Sequence, residues 1–184
     1  MSKSNQSDHL VYQLKITLKD SHLPIWRRIL VKNNINLARL HRVIQIVMGW
    51  ADYHLHHFKI NDQYYGVPDP EWENDTLNEK EFSLNQLVKT EKKRFSYLYD
   101  FGDNWDHEIL VEKILKPEPK KHYPACVTGK RACPPEDSGS IWGYYEKLKI
   151  MNDPSHPEHE EVVDWMFEDF DPDEFDLKRI NDQL

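Results

Sequence analysis

"RFSYLYDFGDNWDHEILVEKIL", residues 94–115, decides the fold: two runs rich in aromatic and β-branched residues flank the turn residues Gly102, Asp103 and Asn104. That composition predicts an antiparallel hairpin. The letters D-F-G at 100–102 also occur in protein kinases, where the aspartate holds magnesium against ATP. A kinase needs a glycine-rich loop, a strand lysine paired with a helix glutamate, and an H-R-D catalytic loop upstream. None is found, and "LHRV" at 40–43 has no aspartate after its His-Arg pair. The hairpin is therefore read as structure first.

Working outward, "HLVYQLKITLKD" (9–20) alternates Tyr12, Leu14, Ile16 and Leu18 with Gln13, Lys15, Thr17 and Lys19, the period of a half-buried strand. "PIWRRILVK" (24–32) alternates likewise and predicts its antiparallel partner, with Pro24 at the start where a missing N–H is harmless. From Asn36, a cap residue, Leu37, Leu40, Ile44, Val47 and Met48 recur at helical spacing up to Gly49. "HLHHFKINDQYYGVP" predicts a strand pair about Asn61 and Asp62, "PDPEWENDTLNEKE" a polar, mobile loop, and "SLNQLVKT" a short helix capped by Ser83. Residues 116–140 hold five prolines and predict an irregular connection. The tail is helical, with Ile141, Tyr144, Tyr145, Leu148 and Met151 on one face and Val162, Val163, Met166, Phe167 and Phe170 on another.

The expected fold is α+β: a mostly antiparallel, curled sheet of about five to six strands, with helices packed on it and a helical C-terminal region. Residues 1–9 are expected to be a disordered N-terminus and 10–184 a single domain, in keeping with a length of 184. A hydrophobic share of 39%, with 6 Trp, 9 Tyr and 7 Phe, suffices for a core. No signal peptide and no membrane span is legible, so a cytoplasmic location is expected. The two cysteines, Cys126 and Cys133, are then expected as reduced thiols or metal ligands.

Net charge is −8, yet residues 1–60 carry nine Lys/Arg against three Asp/Glu. Arg27, Arg28, Arg39 and Arg42 are thus a candidate basic face, although ordinary solvated charges explain them too. From Asp153 to Asp176 run eleven acidic residues with no Lys or Arg, read as a solvated helix face or a surface for a basic partner.

Three constellations could carry chemistry. Asp100, Asp103, Asp106 and His107 offer four oxygen or nitrogen ligands within eight residues, beside His54, His56 and His57 of "HLHH". On a strand His54 and His56 would share a face and so one metal; the alternative is that the hairpin carboxylates bond turn backbone. His122, Cys126 and Cys133, followed by Glu136 and Asp137, are a sparse zinc set, because C-x6-C with one histidine lacks the short knuckle of structural sites. The tryptophans read as packing residues, with Trp72 the candidate for an exposed stacking surface. Glycine patterns for nucleotides and the H-E-x-x-H and G-x-S-x-G motifs are lacking.

In this order, "PIWRRILV", "LHRVIQIVMGWADYHLHHF", "YLYDFGDNWDHEILVE", "YPACVTGKRACPPED" and "FDPDEFDL" resemble the plasmid pRiA4b ORF-3-like family, some members of which are labelled resolvase-like passengers of transposable elements. The resemblance runs from about residue 10 to the C-terminus and implies a compact α+β domain. The chain departs from the family pattern after "CPPED", where Ser138 and Ser140 stand in place of a Cys or Val and a Gly. A metal role needing a third cysteine is weakened by that. The parts of a serine recombinase, a nucleophilic serine with an arginine cluster and a helix-turn-helix, are not legible.

The leading expectation is a cytoplasmic, non-enzymatic binding or interaction module associated with mobile elements, with a protein or nucleic acid as partner. The alternative is a metal-assisted hydrolase or nuclease using a divalent metal, in which His54, His56, Asp103, Asp106, His107, Glu136 and Asp137 converge. No cofactor is required by the sequence, and the oligomeric state is not legible.

Overall fold

Alternating apolar side chains build the sheet from its centre. In the computed structural model, which describes residues 10–68, 75–167 and 169–184, β1 (Val11–Leu18) lies between β2 (Trp26–Lys32) and β7 (Trp105–Leu115), antiparallel to both. Leu14, Ile16 and Leu18 of β1 point to one face and are fully buried, while Gln13, Lys15 and Thr17 point to the other. The hairpin read from residues 94–115 is β6 (Arg94–Tyr99) paired to β7, with Tyr99 opposite Trp105.

The sheet continues through β3 (His56–Ile60), β4 (Gln63–Gly66) and the two-residue β5 (Leu77–Asn78) on one side, and β8 (Ala125–Lys130) beyond β2 on the other. Among the described residues this gives one open sheet of eight strands in the order β5-β4-β3-β6-β7-β1-β2-β8, antiparallel except for β4–β5. The α+β class and mostly antiparallel pairing agree with the sequence reading, but the strand count exceeds the five to six expected. β5 is too short to show a period. β8 lies in the proline-rich stretch read as irregular, where alternation is masked by Gly129 and flanking prolines. That glycine is needed: a Cβ on it would lie 2.5 Å from the Phe175 ring and 2.8 Å from the Trp26 carbonyl oxygen.

Helix α1 (Leu37–Met48) covers one face. The Asn36 side chain accepts the Arg39 N–H at 2.9 Å, and Gly49, at φ 86°, donates its N–H to the Gln45 and Ile46 carbonyls. Its buried residues are Leu37, Leu40, Val43, Ile44, Val47 and Met48, together with two polar residues, His41 and Gln45. A four-residue helix α2 (Leu84–Leu87) follows Ser83, whose N–H donates to the Gln86 side chain at 2.7 Å. The C-terminal helices are α3 (Ser140–Met151), α4 (His159–Met166) and α5 (Leu177–Gln183), with α5 against β8.

The opposite face of the sheet is charged. Lys19 pairs with Asp106, Arg94 with Glu108, and Arg28 with Glu112. No helix among the described residues is long and apolar enough to cross a membrane. The expected disordered segment 1–9 and residues 69–74 of the polar loop, Trp72 among them, lie outside the described residues.

Candidate functional site

Polar side chains meet the aromatic core at one corner of the molecule, where the segment after α1 passes the β6–β7 turn and the 134–139 loop. Trp50 anchors that segment: its indole N–H donates to the Pro134 carbonyl at 2.9 Å and its ring stacks on Tyr99, centroids 5.2 Å apart. The Tyr99 hydroxyl then accepts the backbone N–H groups of Tyr53 (2.9 Å) and His54 (3.3 Å) and donates to Glu136. Glu136 also accepts the Ala51 N–H at 2.9 Å. Burial and the neighbouring Glu136 carboxylate push the Tyr99 phenol far above its ordinary pKa, so it remains a proton donor to Glu136.

Around this brace stand His54, Asp100 and Asp137. Asp100 sits at φ 58°, its N–H donating to the Leu55 carbonyl at 2.9 Å and its Oδ1 accepting the Gly102 N–H at 2.8 Å. Its other oxygen, Oδ2, lies 3.7 Å from His54 Nε2, and Asp137 Oδ1 lies 3.2 Å from the same nitrogen. Neither approach is a hydrogen bond: His54 Nε2 is shielded from solvent and has no hydrogen-bond partner. Ligands about 2.0–2.1 Å from one tetrahedral ion sit roughly 3.3 Å from each other and point at the ion, not at one another. The two distances from His54, 3.2 and 3.7 Å, are close to that spacing, and all three ligand atoms lie within 4.8 Å of one another.

A second cluster lies between α1 and β3. The His41 and His56 rings are stacked at 3.4 Å with planes 2° apart. Here the hydrogen bonds close on themselves. Gln45 Nε2 donates to the Tyr97 hydroxyl at 2.9 Å, and that hydroxyl reaches His41 Nδ1 at 2.8 Å. His41 Nε2 reaches Asp52 Oδ1 at 2.8 Å, and the Asp52 N–H returns to Gln45 Oε1 at 3.1 Å. The direction of the Gln45 bond sends the tyrosine proton to Nδ1, so His41 carries its own proton on Nε2. Burial, with His56 alongside, lowers the His41 pKa to about 4, so the ring is neutral. His56 Nε2 is satisfied by Glu79 at 2.8 Å. His41, Asp52 and His56 also lie within ligand reach of one another, but each nitrogen facing a carboxylate already has its partner.

The residues singled out from sequence are thus distributed among several places. His54, Asp103, Glu136 and Asp137 gather at the corner, where Asp103 accepts the Gly139 N–H at 3.0 Å. His56 faces the other cluster: β3 begins only at His56, so strand alternation does not govern His54 and the two imidazoles do not share one metal. Asp106 and His107 point to opposite faces of β7. Asp106 is paired to Lys19 on the charged face, while His107 is fully buried with its Nε2 lacking a partner and its pKa lowered by burial to about 4.

Arg27 is a correction to the basic face. It is 3% exposed, donating to the Val47 and Lys130 carbonyls and to Cys133 Sγ, so it ties β2 to α1 and offers nothing to a partner. Arg28 is bound at two atoms by Glu112. The zinc set does not assemble: Cys126 and Cys133 are buried free thiols with pKa values raised by burial, His122 is exposed, and the three form no ligand cluster. The sequence reading missed His41, Asp52 and Glu79. For His41 a signal existed, since it and Gln45 interrupt the apolar stripe of α1 at i and i+4.

Comparison with known proteins places these residues in a family. The profile described as plasmid pRiA4b ORF-3-like protein matches residues 10–179. The chain belongs to that family. Within the pRiA4b ORF-3-like proteins, the uncharacterized protein y4hQ of Sinorhizobium fredii is 40% identical over 156 residues, 84% of this chain and 80% of that protein. The crystal structure of a protein of unknown function, MM3350, from Methanosarcina mazei Go1 is similar with a TM-score of 0.87 and 41% identity, covering 92% of this chain and 97% of the other. Family membership thus carries the fold, and function has to be argued from the side chains.

Proposed function

We propose that this pRiA4b ORF-3-like protein is a cytoplasmic binding module that holds a divalent metal ion on His54, Asp100 and Asp137. The carrying observation is the unpartnered His54 Nε2, set 3.2 and 3.7 Å from two carboxylate oxygens at ligand spacing without hydrogen-bond geometry. One imidazole and two carboxylates suit zinc, manganese or ferrous iron better than the all-oxygen shell calcium takes. Tyr99 and Glu136 act as outer braces, fixing the segment that carries His54.

Asp137 is 70% exposed at its side chain, so the remaining coordination positions face solvent. Water, or a carboxylate or phosphate oxygen of a partner, completes the shell there. Metal-assisted hydrolysis would use the same open positions. The binding reading is preferred because five hollows among the described residues, at α1, α3, α5 and the β3–β4 turn, are lined by residues other than His54, Asp100 and Asp137. The plasmid origin in the family description supports a place on mobile elements.

The test is titration of the metal-stripped protein with Zn²⁺ and Mn²⁺ in a calorimeter. One equivalent is expected to bind, with affinity about 100-fold lower in His54→Ala, in line with the loss of one ligand. Wild type that binds neither ion at millimolar concentration sinks the reading.

A further inference from the structure

We infer that the exposed side of α1 carries a groove for the phosphodiester backbone of single-stranded nucleic acid, formed by Lys32, Arg39, Arg42 and Lys80. Two hollows, of about 360 and 530 Å³, lie end to end there and share Asn36, Arg39 and Pro124. Lys32 and Tyr123 line the first, Arg42 and Lys80 the second. All four cations are exposed, and among the described residues none of them forms an ion pair. Arg28, Arg94 and Arg131, by contrast, are each neutralised by a carboxylate.

An unpaired run of cations on a chain of net charge −8 is a local feature, and it selects an extended polyanion that touches the protein only there. Arg39 and Arg42 are three residues apart on one helix, so their guanidinium groups are neighbours on the same side. They can take successive phosphates, for which the planar fork is suited. A single strand is favoured over a duplex because the Tyr123 ring at the end of the groove offers an unstacked base a face. The groove belongs to α1 and the segments beside it, and the inference does not rest on the metal reading.

Fluorescence anisotropy of the full chain with a labelled 12-nucleotide single strand tests it. Four phosphate contacts predict a slope of log K against log salt of about −3, hence binding on the order of 50-fold weaker at 200 than at 50 mM salt. Arg39→Ala/Arg42→Ala/Lys80→Ala should reduce the slope by about 2. Arg39→Lys/Arg42→Lys should keep the slope, a control that separates charge from any disturbance of α1, which circular dichroism monitors. No binding at 50 mM salt, an unchanged slope in the triple alanine variant, tighter binding of a duplex of the same length, or equal binding of poly-glutamate would each overturn the inference.

Discussion

His54 and His56 are two residues apart, yet the regions they serve are finished differently. Around His56 and its stacked partner His41, donors and acceptors run Gln45, Tyr97, His41, Asp52 and back to Gln45, so that both His41 nitrogens already have partners. Around His54, two carboxylates are brought to a nitrogen that bonds to neither. A closed buried network contributes stability and fixes one arrangement of α1 on β3 and β6. An open one forgoes hydrogen bonds it could have made, which is the mark expected where a ligand supplies the missing partner.

The largest effect that can break this contrast is at the closed ring. His41→Ala leaves the Tyr97 hydroxyl, the Asp52 carboxylate and one face of His56 without their partner, and vacates a buried volume. A loss of about 3–4 kcal/mol in urea unfolding is expected, with the metal titration of the surviving folded fraction unchanged. A loss below about 1 kcal/mol would show that the ring is ornamental to the fold.

Next in size, counted per histidine, is the response to acid. The unfolded imidazole takes its proton near pH 6.5, whereas folded His41 and His107 take theirs near 4. Between those values the unfolded chain binds more protons, so stability falls as pH falls from about 6.5 to 4. Each histidine contributes a slope of about 1.4 kcal/mol per pH unit within that window. Urea midpoints at pH 7, 6 and 5 check this; His57 is lowered by burial too, and His107→Leu should remove one histidine's share of the slope, about 1.4 kcal/mol per pH unit. A flat profile over that range would mean that neither ring is held neutral by burial.

The two clusters were not equally legible in sequence, for physical reasons. Hairpin and strands were readable because Tyr12, Leu14 and Ile16 alternate as a two-faced sheet demands, and α1 because its stripe and its Asn36 and Gly49 caps are local. β8 was not, since its register is set by β2 and by Phe175 lying over Gly129, contacts over 40 residues or more in sequence. At the corner, His54, Glu136 and Asp137 were named from their residue types. What could not be read was their grouping: His54 precedes β3, so period-two reasoning assigned it the wrong neighbour, and Glu79 comes from a polar loop with no pattern. Arg27 was misplaced because alternation does not say which face of β2 is covered.

Smallest in the metal-free protein, and sharpest for the comparison, is Asp137→Asn. Asp137 is mostly exposed and makes no hydrogen bond to His54, so unfolding of the metal-free variant should differ from wild type by less than about 0.5 kcal/mol. With metal the two should part. An ion at 100 times its dissociation constant stabilises the folded state by about 2.7 kcal/mol through mass action alone, and the variant should lose most of that gain while keeping its metal-free midpoint. If the metal-free variant were instead destabilised by more than about 1 kcal/mol, Asp137 would be a structural partner of His54, and the open corner would be a closed network like its neighbour. The distinction therefore rests on a difference between two curves, with and without metal, and not on the size of either one.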